Sequence, residues 1–266
     1  MLGSLRSEFL KIATTRIWWI LAIILFAYIG VTAAGMAALS GAITGDPEAP
    51  PIPSDMFPPL VYSVATAVGY VFPLLFGALA STSEFRHQTL TPTFLATPRR
   101  SIVLGGKLSV AAIWGVVYAV VGLLASVGIG GAVLAATGHD TLLGEPDTWA
   151  LLGRIVLAMA LWAIIGVALG VLVPNQVATI VIVLAFTQFV EPLLRFASAF
   201  WEWTATIGRF LPGAASDALV GSSIFTTLAG GNADALEWWQ GGLVLGGYAA
   251  LFLIIGGLTT WRRDVT

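Results

Sequence analysis

The sequence has no cysteine, two histidines and little charge: only 10% of its 266 residues are Asp, Glu, Lys or Arg. Without cysteine there are no disulfides, no thiolate metal ligands and no cysteine nucleophile. A soluble domain of this length would need far more charge on its surface. With so few histidines, little acid–base chemistry is possible inside a membrane. These absences point away from soluble proteins and from thiol chemistry.

The sequence also lacks a nucleotide-binding motif. "GGK" at Gly105–Lys107 resembles the end of a phosphate-binding loop, but that motif needs Gly where Ser101 stands and Ser or Thr where Leu108 stands. No Ser–His–Asp set or metal-binding helix is evident either. We therefore expect a chain that is not an enzyme and that holds no cofactor itself.

What the sequence has is long apolar runs. Hydrophobic residues make up 58% of the chain and the mean hydropathy is +0.92. A helix needs about 20 apolar residues to cross the hydrocarbon, and six stretches are long enough. They do not alternate as the strands of a β-barrel would. The predicted spans are 17–39, 60–82, 108–136, 149–173, 177–194 and 241–261. The fold class predicted is all-α, a polytopic membrane protein with one transmembrane domain over 1–266.

The basic residues are divided unequally between the two sides of these spans. Nine of the 12 Lys and Arg fall on the side of the N-terminus, whereas three fall on the other side. The nine are Arg6, Lys11, Arg16, Arg86, Arg99, Arg100, Lys107, Arg262 and Arg263. Because Lys and Arg near spans accumulate inside, both termini are expected to be cytoplasmic.

The first 16 residues form an amphipathic segment ahead of the first span. Its apolar face carries Leu2, Leu5, Phe9 and Ile12, and its remaining surface carries Arg6, Glu8 and Lys11. This pattern predicts an interfacial helix under the inner leaflet. Two roles stay open at this point: a plain membrane anchor, or a lever that a cytosolic partner pushes.

Two patterns within the spans predict local geometry. Pro73 should kink the second span and offer a hinge. Small residues permit close helix contact at Gly166 and Gly170 and at Gly242 and Gly246.

The outer region between the fifth and sixth spans is 195–240. The stretch 191–212 at its beginning is too apolar for free solvent and too charged to span, whereas the later part is expected to be a loop that covers the outer mouth. Short helices dipping into the outer leaflet are expected in 191–212. Glu191 and Arg195 are spaced i,i+4 and can form an ion pair. A binding surface for an external ligand would be built from aromatic side chains, namely Phe200, Trp201, Trp203 and Phe210.

A polar, basic segment separates the second and third spans, at 83–107. Thr91 can cap a short helix with Pro92 at its first position. That helix would display Phe85, Leu90, Phe94 and Leu95 beside its charges. The segment is either a loop that only fixes topology or a docking helix for a partner.

The stretch "SEFRHQTLTPTFLATPRRSIVLGGK" resembles the segment after the second span of ABC-2 type permeases, the membrane subunits of a class of ABC exporters. Within this family, the segment resembles those of the actinobacterial and bacitracin-resistance-like permeases. This resemblance implies a half-transporter that pairs with a second permease chain in a bacterial plasma membrane. It also implies two copies of a separate cytosolic ATPase, which hold the ATP and Mg²⁺, and no nucleic acid. The segment would couple the two through Glu84, Phe85, Arg86, His87, Thr89, Leu90, Phe94, Leu95, Arg99 and Arg100.

We therefore predict the permease subunit of an ABC exporter that moves an amphipathic substrate outward: a drug, a peptide antibiotic or a lipid. The alternative is a membrane sensor or immunity protein that binds a ligand at the outer aromatic region without moving it. An intramembrane enzyme and a secondary carrier are disfavoured, because the predicted spans have few ionisable residues at mid-depth.

Overall fold

The computed structural model describes residues 2–44, 53–96, 99–197, 206–222 and 236–261, and within these ranges all regular structure is helical. The predicted outer residues Phe200, Trp201 and Trp203 lie outside the described residues. We number the helices as follows: α1 Leu2–Ala13, α2 Ile17–Thr44, α3 Phe57–Ala67, α4 Val71–Arg86, α5 Leu90–Ala96, α6 Arg100–Leu123, α7 Gly131–Ala136, α8 Pro146–Leu172, α9 Gln176–Ala185, α10 Glu191–Ala197, α11 Pro212–Val220 and α12 Trp238–Thr259.

Within the described residues, six helices are long and apolar enough to cross a membrane, which confirms the predicted all-α, six-span fold class. They are Ile17–Ala42, Ser54–Arg86, Arg100–Ala136, Pro146–Leu172, Gln176–Ala197 and Trp238–Thr259. The second and third extend past the apolar runs that predicted them. Backbone hydrogen bonding does not stop where hydropathy falls, so hydropathy alone shortens a span.

The second span is interrupted at 68–70, between α3 and α4. Pro73 lies in the first turn of α4, where a missing N–H costs least. The carbonyl of Gly69, four residues before the proline, accepts instead from the amide of Phe72 at 3.1 Å. A proline disrupts the helical hydrogen bonds of the turn before it. The bend predicted from Pro73 therefore lies one turn before the proline, at 68–70.

Two spans contain π-helical segments, which the sequence did not predict. Leu124–Gly130 joins α6 to α7 within the third span, and Phe186–Val190 joins α9 to α10 within the fifth. A π-helical turn accommodates an extra residue and changes which way the following helix faces.

The central helix is α8, which packs against α4, α6 and α12. Its contact with α4 depends on Gly166, where a Cβ atom would overlap the backbone carbonyl of Leu74. The prediction of close contact is confirmed at Gly166 and Gly170. At Gly246 it stays a prediction, because a Cβ atom there would meet none of the described atoms within 4 Å; α12 instead presents Gly241 to α11.

Candidate functional site

Four charged side chains meet at the end of the bundle that carries α1 and α5. We call Glu8, Lys11, Glu84 and Lys107 the ion-pair ring. The Lys11 ammonium lies 2.6 Å from Oε1 of Glu8 and 2.9 Å from Oε1 of Glu84. The Lys107 ammonium lies 2.8 Å from Oε2 of Glu8 and 2.8 Å from Oε2 of Glu84. It donates a hydrogen bond to Glu8, whereas its contact with Glu84 is ionic only. Each lysine bridges both glutamates, so charge alternates around the ring.

The ring joins three helices that are distant in sequence. Glu8 and Lys11 come from α1, Glu84 from the last turn of α4, and Lys107 from the beginning of α6. Glu8 and Lys107 are each only 4% exposed and Glu84 is 6% exposed. Buried charges of this kind require partners, since a single unpaired one would be expensive to keep out of water. The ring therefore ties α1 to the ends of the second and third spans.

Electrostatics inside the ring favours the charged forms. Burial alone would raise the pKa of Glu8, but Lys107 and Lys11 outweigh it and hold that pKa below its ordinary value. Burial alone would lower the pKa of Lys11, but its contacts with Glu8 and Glu84 outweigh burial and raise the pKa. Both groups are therefore ionised over a wider pH range than in water.

The helix α1 is oriented by this ring and by an aromatic contact. Phe9 stacks on Trp114 with ring centroids 5.8 Å apart, and Leu5 and Ile12 pack against the core. Arg6 is exposed. The sequence grouped Glu8 with the polar surface of an interfacial helix, and this was wrong because Glu8 is buried between Lys11 of α1 and Lys107 of α6.

The segment between the second and third spans forms α5, which begins at Leu90 rather than at Pro92. Gln88 has a left-handed backbone (φ 55°) that reverses the chain, and the Thr89 amide donates to the carbonyl of Glu84 at 3.1 Å. Leu90 is 1% exposed, so the prediction that it would be displayed was wrong: the reversal turns its side chain into the bundle.

An aromatic cluster holds α5 against the last span. Trp261 is 5% exposed and meets Phe94 edge to face at 5.4 Å and Phe85 at 6.2 Å. Arg100 lies over the Phe94 ring, 4.8 Å from its centroid, and donates to the backbone carbonyl of Trp261 at 2.8 Å. We call Phe85, Phe94, Arg100 and Trp261 the Trp261 cluster. It connects α5 to α4, α6 and the end of α12.

The remaining predicted coupling residues face outward at the corner between α4 and α6. Leu95 is 80% exposed, and Arg86 donates at 3.3 Å to the side chain of Gln176 at the beginning of α9. The exposed members of the predicted set are Arg86, His87, Thr89, Leu95 and Arg99, which we call the corner surface. The predicted set thus divides into a surface and the residues that support it, and its coupling role stays a prediction.

A second charged cluster lies far from this end. The predicted pair of Glu191 and Arg195 is confirmed, with Oε1 and Nη2 3.1 Å apart. Arg195 also contacts Asp217 on α11 at 2.6 Å. Both carboxylates are buried, so this is an internal charged cluster. Phe210, of the predicted outer residues, is 43% exposed.

Sequence reasoning did not assign a role to Glu8, Lys107 or Trp261 in coupling. Lys107 was counted as a basic residue near a span and was not given a partner, yet a lysine two turns into an apolar helix requires a carboxylate partner. The sequence contained that signal, but only the fold identifies Glu8 and Glu84 as the partners.

The sequence of this chain also matches a known protein family. Residues 4–190, more than two thirds of the chain, match the family profile described as ABC-2 family transporter protein. No curated protein matches this sequence at a significant level. The six apolar helices and this match indicate a multi-pass membrane subunit of the ABC-2 permease type, which implies an ABC ATPase as its partner. The chain belongs to the ABC-2 family of transporter proteins, as the permease subunit of an ABC transporter.

Proposed function

We propose that this permease exports an amphipathic substrate, such as a drug, a peptide antibiotic or a lipid, and that its ATPase docks on the corner surface. The observation that carries the proposal is the construction of that corner. An exposed surface of charged and apolar side chains rests on two buried anchors, the ion-pair ring and the Trp261 cluster.

The proposed orientation places the corner surface in the cytoplasm of a bacterium. Among the described residues, seven basic side chains belong to the α5 end of the bundle: Arg6, Lys11, Arg16, Arg86, Arg99, Arg100 and Lys107. Three belong to the other end: Arg154, Arg195 and Arg209. This asymmetry supports a cytoplasmic α5 end.

The anchors give a route for mechanical coupling. A force on α5 would reach the third and sixth spans through Phe94, Arg100 and Trp261. The ring would pass movement of α4 and α6 to α1, because each lysine contacts glutamates of both α1 and α4. ATP and Mg²⁺ would be bound by the ATPase, and closure of two ATPases would tilt these spans as connected bodies.

A second permease chain completes the proposed transporter. The fifth span has only 22% of its most apolar stretch buried, and Val177, Val181, Phe189 and Leu193 project from it with more than half of their surfaces exposed. Such a face is suited to lipid or to another helical subunit. Whether the partner is a copy of this chain or a related one would be decided by purification.

The test is purification of the tagged chain from its own host in a mild detergent, followed by identification of any ATPase that accompanies it. Leu95→Asp replaces the exposed apolar residue of the corner surface with a charge and should remove the ATPase, while the buried anchors of α5 stay unaltered. Leu143→Asp is the matched control, since Leu143 lies at the other end of the bundle and is also exposed.

In contrast to Leu95→Asp, Glu84→Gln should impair coupling without removing the ATPase. The ATPase should still bind, because Glu84 is buried, but substrate-dependent ATP hydrolysis should fall. If Leu95→Asp retains the ATPase, or if no ATPase accompanies the unaltered chain, the docking assignment is wrong. Binding of a ligand without its movement into vesicles would favour the sensor alternative.

A further inference from the structure

A cavity of about 110 Å³, lined by apolar groups and by several charged and hydroxyl side chains, lies in the bundle away from the corner surface. It forms where the interruption of the second span at 68–70 faces the π-helical segment of the fifth. Both irregularities turn side chains and backbone groups toward the same space. The residues that line it through polar or aromatic groups include Tyr28, Tyr70, Thr187, Gln188, Glu191 and Arg195.

The cavity lies deep in the membrane-spanning bundle, at the middle of the second span Ser54–Arg86. Tyr70 is 16 residues before the end of α4 at Arg86, which corresponds to about 24 Å of helix. The hydrocarbon core of a bilayer is about 30 Å thick. A charged cluster at this depth is uncommon, and such clusters usually mark a binding site or a pathway.

The two oxygens of the Glu191 carboxylate have different surroundings. Oε1 accepts from Nε and Nη2 of Arg195, each at 3.1 Å, and from the amide of Ala214 at 3.2 Å. Oε2 is buried and has no hydrogen-bond partner among the described residues. The whole residue is 2% exposed and lines the cavity. One carboxylate oxygen is therefore fully used, whereas the other lacks a donor.

Glu191, Asp217 and Arg195 together carry one more negative than positive charge when all three are ionised. Arg195 supplies one positive charge to two carboxylates, Glu191 and Asp217. The N-terminus of α11, which begins at Pro212, adds only a partial positive charge through its amides. A buried acceptor with surplus negative charge requires a donor or a cation.

We propose that this cavity binds an organic ammonium group, with Oε2 of Glu191 as its acceptor. Tyr28 and Tyr70 line the same space, and aromatic faces attract ammonium groups. A metal ion fits less well, because no group of three or more His, Asp or Glu side chains suited to a metal occurs among the described residues. An anion is disfavoured by the two carboxylates.

The cavity is partly open, and its rim explains how a ligand enters. Tyr28 on α2 is 48% exposed, and Gln188 at the π-helical segment is exposed. A ligand with an apolar tail could leave that tail at the flank of the bundle while its ammonium group reaches Glu191. Assigning such a ligand as the exported substrate rests on the proposed function, whereas binding itself does not require an ATPase.

The test uses the full chain in lipid nanodiscs without any ATPase, and n-butylammonium as the probe. A ligand that binds the folded state raises the midpoint of thermal unfolding by mass action. An amine with five heavy atoms has limited affinity, so the titration extends to tens of millimolar, on the order of what such small ligands require. Sodium chloride keeps the ionic strength constant. Butylammonium should raise the midpoint by about 2–4 °C, whereas butanol and butyrate should not.

Two variants separate the site from general effects. Glu191→Gln keeps the Arg195–Asp217 pair and should weaken butylammonium binding at least about tenfold. Ala67→Leu fills the cavity without altering a charge and should abolish binding, which provides a second test if Glu191→Gln does not fold. Glu145→Gln is the matched control, because Glu145 is an exposed carboxylate before α8.

The proposal is overturned if butylammonium leaves the midpoint of the unaltered chain unchanged, or if sodium chloride, butanol or butyrate raises it equally. It is also overturned if Ala67→Leu binds the amine as the unaltered chain does. Neither result would affect the docking experiment on Leu95, because that experiment measures the ATPase and not the cavity.

Discussion

The rings of Phe94 and Trp261 meet edge to face with their centroids 5.4 Å apart, although 167 positions separate the two residues in sequence. This contact places the exposed helix α5 directly on the end of the last span. The ion-pair ring anchors the other side of the same corner through α1. The surface proposed for the ATPase therefore has buried support on both sides.

Replacing Trp261 should weaken the protein and loosen α5. Trp261→Ala removes a large side chain that is 5% exposed, and changes of this kind cost about 3–5 kcal/mol of stability. The measurement is the midpoint of thermal unfolding in detergent. Trp149→Ala is the control, since Trp149 is 62% exposed and its loss should change the midpoint little. Equal effects of the two substitutions would contradict the anchoring role of Trp261.

The ion-pair ring should behave as a coupled unit. Glu84→Gln leaves Lys107 and Lys11 with one glutamate, and removing one partner from a buried ion pair costs about 3–5 kcal/mol. Lys107→Met should be similarly costly. The double variant should cost less than the sum, because it leaves fewer unpaired buried charges. Unfolding midpoints of the four proteins test this, and strict additivity would show that the ring is not coupled.

The position of α1 should depend on pH in a defined direction. The pKa of Glu8 is lowered from 4.5, so its stabilising contribution is present above pH 4.5 and is lost as pH falls through the folded value. The pKa of Lys11 is raised from 10.5, so its contribution is present below pH 10.5 and is lost as pH rises through the folded value. Between these limits α1 should stay docked.

The position of α1 can be followed with a single spin label, because the sequence has no cysteine. A spin label attached at Ser7→Cys, an exposed position on α1, would be the single label on the chain. Its mobility should stay constant across neutral pH and increase in acid. Glu8→Gln should make the label mobile already at neutral pH and remove most of the acid response. An identical acid response in Glu8→Gln would assign the titration to another group.

Features that depend on residues close together in the chain could be predicted from the sequence. Hydropathy and length predicted six helical spans, and i,i+4 spacing predicted the Glu191–Arg195 pair. Local patterns could not predict the ring, because Glu8, Glu84 and Lys107 come together only after three helices pack. The same limit explains Leu90: its burial depends on the direction in which the chain reverses at Gln88. Glycine spacing identified Gly166, but it did not identify Gly241, the glycine through which α12 contacts α11.

The π-helical segment at Phe186–Val190 determines how the helix that follows it is rotated about the axis of the span. One residue advances an α-helix by about 100°, so an extra residue in the fifth span rotates everything after it by that angle relative to an uninterrupted helix. Glu191 begins α10 immediately after the segment. Deleting a single residue from 186–190 would therefore turn Glu191 and Arg195 from the interior toward the lipid. The segment acts as a spacer whose length determines which face of the span is polar.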